Sequence, residues 1–222
     1  MTRGRLISLL GLGALGVFLG IAVGAGSGFS KFSDTVDMVD HNAIGLAAPL
    51  IALVLASAAL GDFVDDRTLV YLWLRPVARW QISVGAALAS VGVAVPLAVI
   101  PMTLSAYIGA ADTTLAGATF LATFVATAGY AGVFLALGFK VRRALVWGLA
   151  YILIWENFLA RSVGFAAKLS VSVYARSILH RMTDTELPKH SSGTVAGVVV
   201  PLVFAVLAIA ATGRWLKTTE VA

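Results

Sequence analysis

Glu156 is the residue whose type and position indicate chemistry most strongly, because it is the one carboxylic acid inside a mostly apolar segment. In a helix that enters a membrane near residue 144, it lies about 18 Å deep, slightly past the midplane. Charged groups at this depth are costly and usually functional, so the carboxylate could relay a proton or contact a substrate. Alternatively, Glu156 anchors neighbouring helices through hydrogen bonds together with Asn157 and Arg161. We favour the anchor, because the sequence offers no second intramembrane acid to continue a relay.

Motifs for catalysis do not occur in the sequence. His41, His180 and His190 lack metal-ligand spacing, and there is neither a Gly-x-Ser-x-Gly elbow nor a phosphate-binding Gly-x4-Gly-Lys-[Ser/Thr] loop. The chain also contains no cysteine. We therefore predict a protein that is not an enzyme and that holds no cofactor or metal of its own.

Three acids precede the second apolar segment. Asp34, Asp37 and Asp40 recur at every third residue. This spacing could attract a cation, but we interpret the three residues as a solvated acidic turn.

The composition is typical of a membrane protein. Hydrophobic residues make up 59% of the chain and charged residues only 12%, whereas a soluble domain carries about 25% charged residues. The net charge of +5 could suggest a nucleic-acid partner, but the basic residues lie between apolar runs instead of on one soluble face. We therefore predict no nucleic-acid partner and a lipid bilayer as the surroundings.

Six segments are long and apolar enough to cross a membrane, and in lipid a helix satisfies its own backbone hydrogen bonds. The predicted fold class is all-α, a polytopic membrane protein in which residues 1–222 form a single transmembrane domain. The predicted spans are about 6–28, 43–60, 82–108, 115–139, 144–165 and 195–213.

Lysine and arginine counts predict the orientation of these spans. Ten of these residues fall on the side of the two termini and six on the other side. Because cytoplasmic loops carry the excess of basic residues, both termini are predicted to be cytoplasmic.

The first span carries a stripe of glycines, Gly16, Gly20, Gly24 and Gly28. Residues four apart share one helix face, and glycine there permits close approach of another backbone. The stripe therefore predicts helix packing, either between two subunits or within one bundle.

An amphipathic pattern follows the fifth span at about 168–182. Val171, Ala175 and Ile178 fall on one side of a helix, whereas Arg176 and His180 fall on the other. This pattern favours a helix that lies in the outer membrane interface.

The segment between the second and third spans, 61–80, has a pattern that fits a cytoplasmic docking helix and fits an ordinary interfacial helix equally well. Asp62 can cap a helix whose first turn contains Asp65 and Asp66, which favours the helix dipole. Leu69, Leu72 and Trp73 then share one face, and Pro76 ends the helix.

The same segment carries a resemblance to a known family. The run Asp65-Asp66-Arg67-Thr68-Leu69-x-x-Leu72-x-x-x-Pro76-Val77-x-Arg79 resembles the cytoplasmic loop of type-2 ATP-binding-cassette (ABC) exporter permeases, and Trp155-Glu156-Asn157 is similar to bacterial members. Arg67 stands where the family usually has glycine, and Gly85-Ala86 replaces a lysine that the family often has. The residues that the resemblance assigns to ATPase docking are Asp65, Asp66, Thr68, Leu69, Leu72, Trp73, Arg75, Pro76 and Arg79.

The resemblance implies a bacterial plasma-membrane protein that pairs with a second permease subunit, identical or different. Two ATPase subunits would dock on the 61–80 segments, and ATP and Mg would be bound by those partners. The few charges in the spans predict an apolar or amphipathic cargo for export. The alternative is a self-contained, ion-coupled secondary transporter or channel that uses Glu156.

Overall fold

The structure is a computed structural model that describes residues 3–25, 31–65 and 78–218. Within these ranges the chain is almost entirely helical and contains no strand, so the predicted all-α fold class is confirmed. We number the helices in chain order as α1 (Arg3–Ala25), α2 (31–65), α3 (Arg79–Ala110), α4 (Thr113–Lys140), α5 (144–162), α6 (Gly164–Lys168), α7 (Val171–Met182) and α8 (Thr194–Thr218).

Three of these helices contain a wider π-helical segment. In α2 it is Val39–Ala47, between Lys31–Met38 and Ala48–Asp65. In α3 it is Val95–Val99, between Arg79–Ala94 and Ile100–Ala110. In α5 it is Tyr151–Leu159, between Ala144–Ala150 and Ala160–Ser162. π-Helical turns are rare and often mark functional sites, and the first and third segments contain Asp40 and Glu156.

Within the described ranges, four helices are long and apolar enough to cross a membrane, as expected of a membrane-embedded protein. They are Lys31–Phe63, Arg79–Ala110, Thr113–Lys140 and Thr194–Thr218. Leu9–Ala25 and Ala144–Leu159 are apolar but shorter.

Helix α2 extends beyond its predicted span at both ends. It begins at Lys31 instead of residue 43, so Asp34, Asp37 and Asp40 lie in a helix, and the predicted acidic turn is wrong. It also continues to Asp65, so Asp62 lies inside α2 and cannot begin a separate docking helix. The reason is that apolar segments mark where a chain contacts hydrocarbon, whereas a helix can continue past that boundary.

Helix α4 is the centre of the bundle and packs against α2, α7 and α8. Its Tyr130, Phe134 and Leu135 are fully buried. Glycines bring the helices close together, because Gly138 faces the backbone of Ser57 in α2 and Gly132 faces that of Ala205 in α8.

The bundle has two ends with different charge. At the first end, α2 lies close to the end of α4, because Gly61 packs against the backbone of Gly138. The beginning of α3 lies beside the end of α8 at the same end of the bundle. We call this the basic end, after its residues Arg79, Lys140, Arg142, Arg143, Arg214 and Lys217. The opposite end contains the start of α2, the α3–α4 turn, α6 and α7, and we call it the mixed-charge end.

Candidate functional site

Glu156 is the most densely hydrogen-bonded side chain at the mixed-charge end. It lies in the π-helical segment of α5 and is only 2% exposed. Its carboxylate accepts hydrogen bonds from the Tyr151 hydroxyl at 2.9 Å, from the Ser170 hydroxyl, and from the backbone amides of Val171 at 3.2 Å and Ser172 at 3.3 Å. A carboxylate accepts several hydrogen bonds at once, so this environment satisfies a buried negative charge.

The two amides identify what Glu156 does in the fold. Val171 and Ser172 are the first residues of α7, where a helix leaves its amide groups without partners in the preceding turn. The negative charge also lies at the positive end of the helix dipole. Glu156 therefore joins α5 to the beginning of α7. This geometry supports the anchor that we favoured from the sequence.

The other predicted intramembrane polar residues lie further along α5. The Asn157 side chain donates to the Ile152 carbonyl at 3.0 Å, a local bond that fits the wider turn of the π-helix. Arg161 lies in the last turn of α5, and its side chain lies outside the described part of the structure.

A buried ion pair that the sequence did not predict lies beside this network. Arg176 of α7 places its Nε 3.0 Å from Oδ1 of Asp40, and the two residues are 5% and 9% exposed. His180 Nε2 lies 3.8 Å from the same oxygen. Gly45 makes room for the guanidinium, because a Cβ there would lie 3.3 Å from Nη2 of Arg176. In the sequence, Asp40 and Arg176 are only an acid and a base in separate segments. Their pairing can be recognised only when the packing of α2 against α7 is known.

This ion pair changes the position predicted for the helix at 168–182. Helix α7 runs over Val171–Met182, and its apolar residues Ala175 and Ile178 are buried. On the opposite, polar side of the helix, Arg176 and Ser177 are buried as well. α7 is thus packed on both faces, against α4 and α8 and against Asp40.

Most of the predicted docking residues lie outside the described ranges. Asp66, Thr68, Leu69, Leu72, Trp73, Arg75 and Pro76 belong to this group. Asp65 is the last described residue of α2. Arg79 is the first residue of α3, and its guanidinium donates to the backbone carbonyls of Leu216 at 2.8 Å and Lys217 at 3.1 Å.

The glycine stripe of α1 faces α3 of the same chain. Gly16 faces the Met102 side chain, Gly20 faces Ser105, and Gly24 faces the Ile108 carbonyl. Ser105 also donates from its hydroxyl to the Gly16 carbonyl at 2.7 Å. The two helices run parallel, and the stripe packs within one bundle in the part that the structure describes. Gly28 lies outside the described residues.

Comparison with known proteins finds no family model, no curated protein and no solved structure that matches this chain. Over residues 3–25, 31–65 and 78–218, no three His, Cys, Asp or Glu side chains are grouped so that they could hold a metal ion.

Proposed function

We propose that this chain is the membrane-spanning permease subunit of an ATP-driven exporter of the type-2 ABC class. It crosses a bacterial plasma membrane six times, with α1 and α5 as the first and fifth spans and both termini in the cytoplasm. A partner ATPase binds ATP and Mg, docks on the 61–80 segment and drives export of an apolar or amphipathic cargo. A second permease subunit completes the transporter.

The observation that carries this proposal is the position of the two flanks of the docking segment. Helix α2 reaches the basic end where Gly61 packs against Gly138. Helix α3 leaves the same end at Arg79, which is bonded to the last turn of α8. Residues 66–77 therefore connect two helices that meet at one end of the bundle. A partner that pulls on this connection would act on both helices at once.

The charge of the basic end supports a cytoplasmic orientation. The short α4–α5 turn contributes Lys140, Arg142 and Arg143, and the last turns of α8 contribute Arg214 and Lys217. Basic residues in short connections of this kind are retained on the cytoplasmic side. That side is where ATP is available to a docked ATPase.

The contacts of Glu156 argue against the alternative of an ion-coupled carrier. An ion site needs a carboxylate that can exchange its partners during transport. The carboxylate of Glu156 is instead held by two hydroxyl groups and two backbone amides. Moving any ion through this position would require the amides of Val171 and Ser172 at the start of α7 to lose their acceptor.

The proposal is tested by the docking segment itself. The Leu72→Asp variant places a charge on the apolar face predicted for docking, which costs several kcal/mol if the charge is buried unpaired. We expect this variant to insert in the membrane but to lose a copurifying ATPase with a nucleotide-binding loop. Leu187→Asp is the matched control, because Leu187 is exposed at the mixed-charge end. If Leu72→Asp retains the ATPase as well as Leu187→Asp does, then 61–80 is not the docking element.

A further inference from the structure

We propose a second binding site at the mixed-charge end, for an amphiphile with a phosphate headgroup. The site consists of two adjoining cavities beside α7. The first has a volume of about 230 Å³ and is lined by Asp40, Val173, Arg176, Lys189 and His190, among others. The second has a volume of about 380 Å³ and shares Val173 and His190 with the first.

The charges of the first cavity favour an anion. Asp40 is the only acid in the described walls of the two cavities, and it is already paired with Arg176. The positive charge of Lys189 therefore has no opposite charge in these walls, and Lys168 in the wall of the second cavity has none either. A neutral His190 still offers one N–H donor. A phosphate, with several acceptor oxygens, satisfies this combination of donors.

Arg176 makes this a built site and not a patch of surface charge. It is 5% exposed, and it lies in the wall of the first cavity. The Asp40 ion pair fixes the guanidinium beside the cavity before any ligand arrives. A fixed arginine of this kind binds phosphate well because its planar fork loses little freedom on binding.

The second cavity indicates that the ligand carries an apolar tail. Ala196 and Val200, one turn apart on α8, lie in its wall beside Ala167. The neighbouring Val195 and Val199 of α8 are exposed. A tail that left the first cavity beside His190 would therefore pass through the second cavity and run along α8 to an apolar surface. A headgroup and a tail placed in this way define an amphiphile and not a free anion.

The test is a binding titration on the purified chain in a neutral maltoside detergent. The probes are dihexanoyl phosphatidic acid, the uncharged dihexanoyl glycerol and inorganic phosphate. We expect phosphatidic acid to bind at least about tenfold more tightly than either of the other two probes, since a charge-assisted hydrogen bond has an effect of this size. Equal binding of the glycerol, or equal binding of inorganic phosphate, overturns the proposal.

Two variants separate the headgroup from the tail. The double variant Lys189→Gln/His190→Gln changes two exposed residues. It should weaken the binding of phosphatidic acid about tenfold. Ala196→Phe should weaken the binding of phosphatidic acid but leave the binding of inorganic phosphate unchanged, because the larger side chain narrows only the second cavity. Lys31→Gln is the control, since Lys31 lies at the same end and bonds to the Gly24 carbonyl outside both cavities.

The proposal is also overturned if Lys189→Gln/His190→Gln binds phosphatidic acid as tightly as Lys31→Gln does. Gel filtration and thermal unfolding of each variant establish that it is folded before it is titrated. The assay contains no ATPase and no nucleotide, so its failure leaves the permease proposal intact. Loss of ATPase copurification would equally leave this binding site intact.

Discussion

The two ends of the helical bundle are held together in different ways. At the mixed-charge end, buried polar side chains join separate helices: Glu156 connects α5 to α7, and Arg176 connects α7 to α2. At the basic end, the contacts are close backbone approaches, exposed charges and the hydrogen bonds from Arg79 to the carbonyls of Leu216 and Lys217. Gly138 packs against Ser57, Gly213 packs against Trp80, and Lys140 lies 5.5 Å from the centre of the Trp215 ring.

This difference indicates which end is fixed and which is available to a partner. A buried carboxylate or ion pair tolerates little rearrangement, because a separated charge is left without a partner in a poorly solvated interior. Exposed charges and glycine contacts carry no such penalty. The mixed-charge end therefore defines the position of α7, whereas the basic end is the surface on which we propose that an ATPase docks. The following substitutions test this contrast, from the largest expected effect to the smallest.

Glu156→Leu should have the largest effect of any single change. It leaves the Ser170 hydroxyl and the amides of Val171 and Ser172 buried without their acceptor, at about 1–3 kcal/mol for each group. We expect the folded yield in detergent to fall to a small fraction of the wild-type yield. Glu156→Gln keeps one carbonyl oxygen and the same shape, so it should assemble and retain most transport. A Glu156→Leu variant with wild-type yield and unfolding midpoint would show that this network does not fix α7.

Breaking the ion pair should have the next largest effect. Arg176→Met leaves Asp40 buried without its cation, which costs about 3 kcal/mol. The double variant Asp40→Leu/Arg176→Met removes both charges and should recover much of the lost stability. Unfolding in a denaturing detergent measures both variants. Additive losses in the double variant would contradict a direct interaction between the two side chains.

Gly20→Leu should have an intermediate effect, because it separates α1 from α3. A Cβ at this position would lie 2.5 Å from the Ser105 carbonyl oxygen, and overpacking of this kind costs about 1–3 kcal/mol. The matched control is Gly11→Leu, since nothing lies within 4 Å of a Cβ at Gly11. Thermal unfolding in detergent should distinguish the two variants. Equal midpoints for the two variants would mean that α1 does not depend on this contact.

Arg79→Ala should have the smallest effect on stability. Arg79 donates to the carbonyls of Leu216 and Lys217 at the partly exposed end of α8, and hydrogen bonds of this type contribute about 1 kcal/mol. The ATPase complex should weaken modestly, and the difference from wild type should be largest at low salt, because added salt screens the contribution of the Arg79 charge. Arg142→Ala, at an exposed residue of the α4–α5 turn, controls for a general loss of positive charge. A loss of folded protein would contradict the view that this end is held loosely.

The sequence was sufficient to predict the helical, membrane-embedded fold, because apolar runs of this length have few alternatives in lipid. It was also sufficient to identify Glu156, since a lone acid in such a run must find partners. Those partners could not be predicted, because Ser170 and the amides at the start of α7 carry no charge that marks them. An amide becomes a donor for Glu156 only through the packing of α5 against α7.

The pairing of Asp40 with Arg176 was missed for a related reason. Each residue was assigned to a solvated element from its local pattern, Asp40 to an acidic turn and Arg176 to an interfacial helix. Local periodicity reports the environment of one element, whereas burial of a charge depends on the opposite charge in a distant element. The extension of α2 to Lys31 brings Asp40 into the bundle and makes the pair possible.

The most direct test of the central claim is the native mass of the complex extracted from its own membrane in mild detergent. The account predicts a species containing two permease subunits and two ATPase subunits, which releases its ATPase when Leu72→Asp is introduced but not when Leu187→Asp is introduced. A chain that is extracted without any ATPase, and that moves substrate in liposomes under an ion gradient alone, would contradict the account.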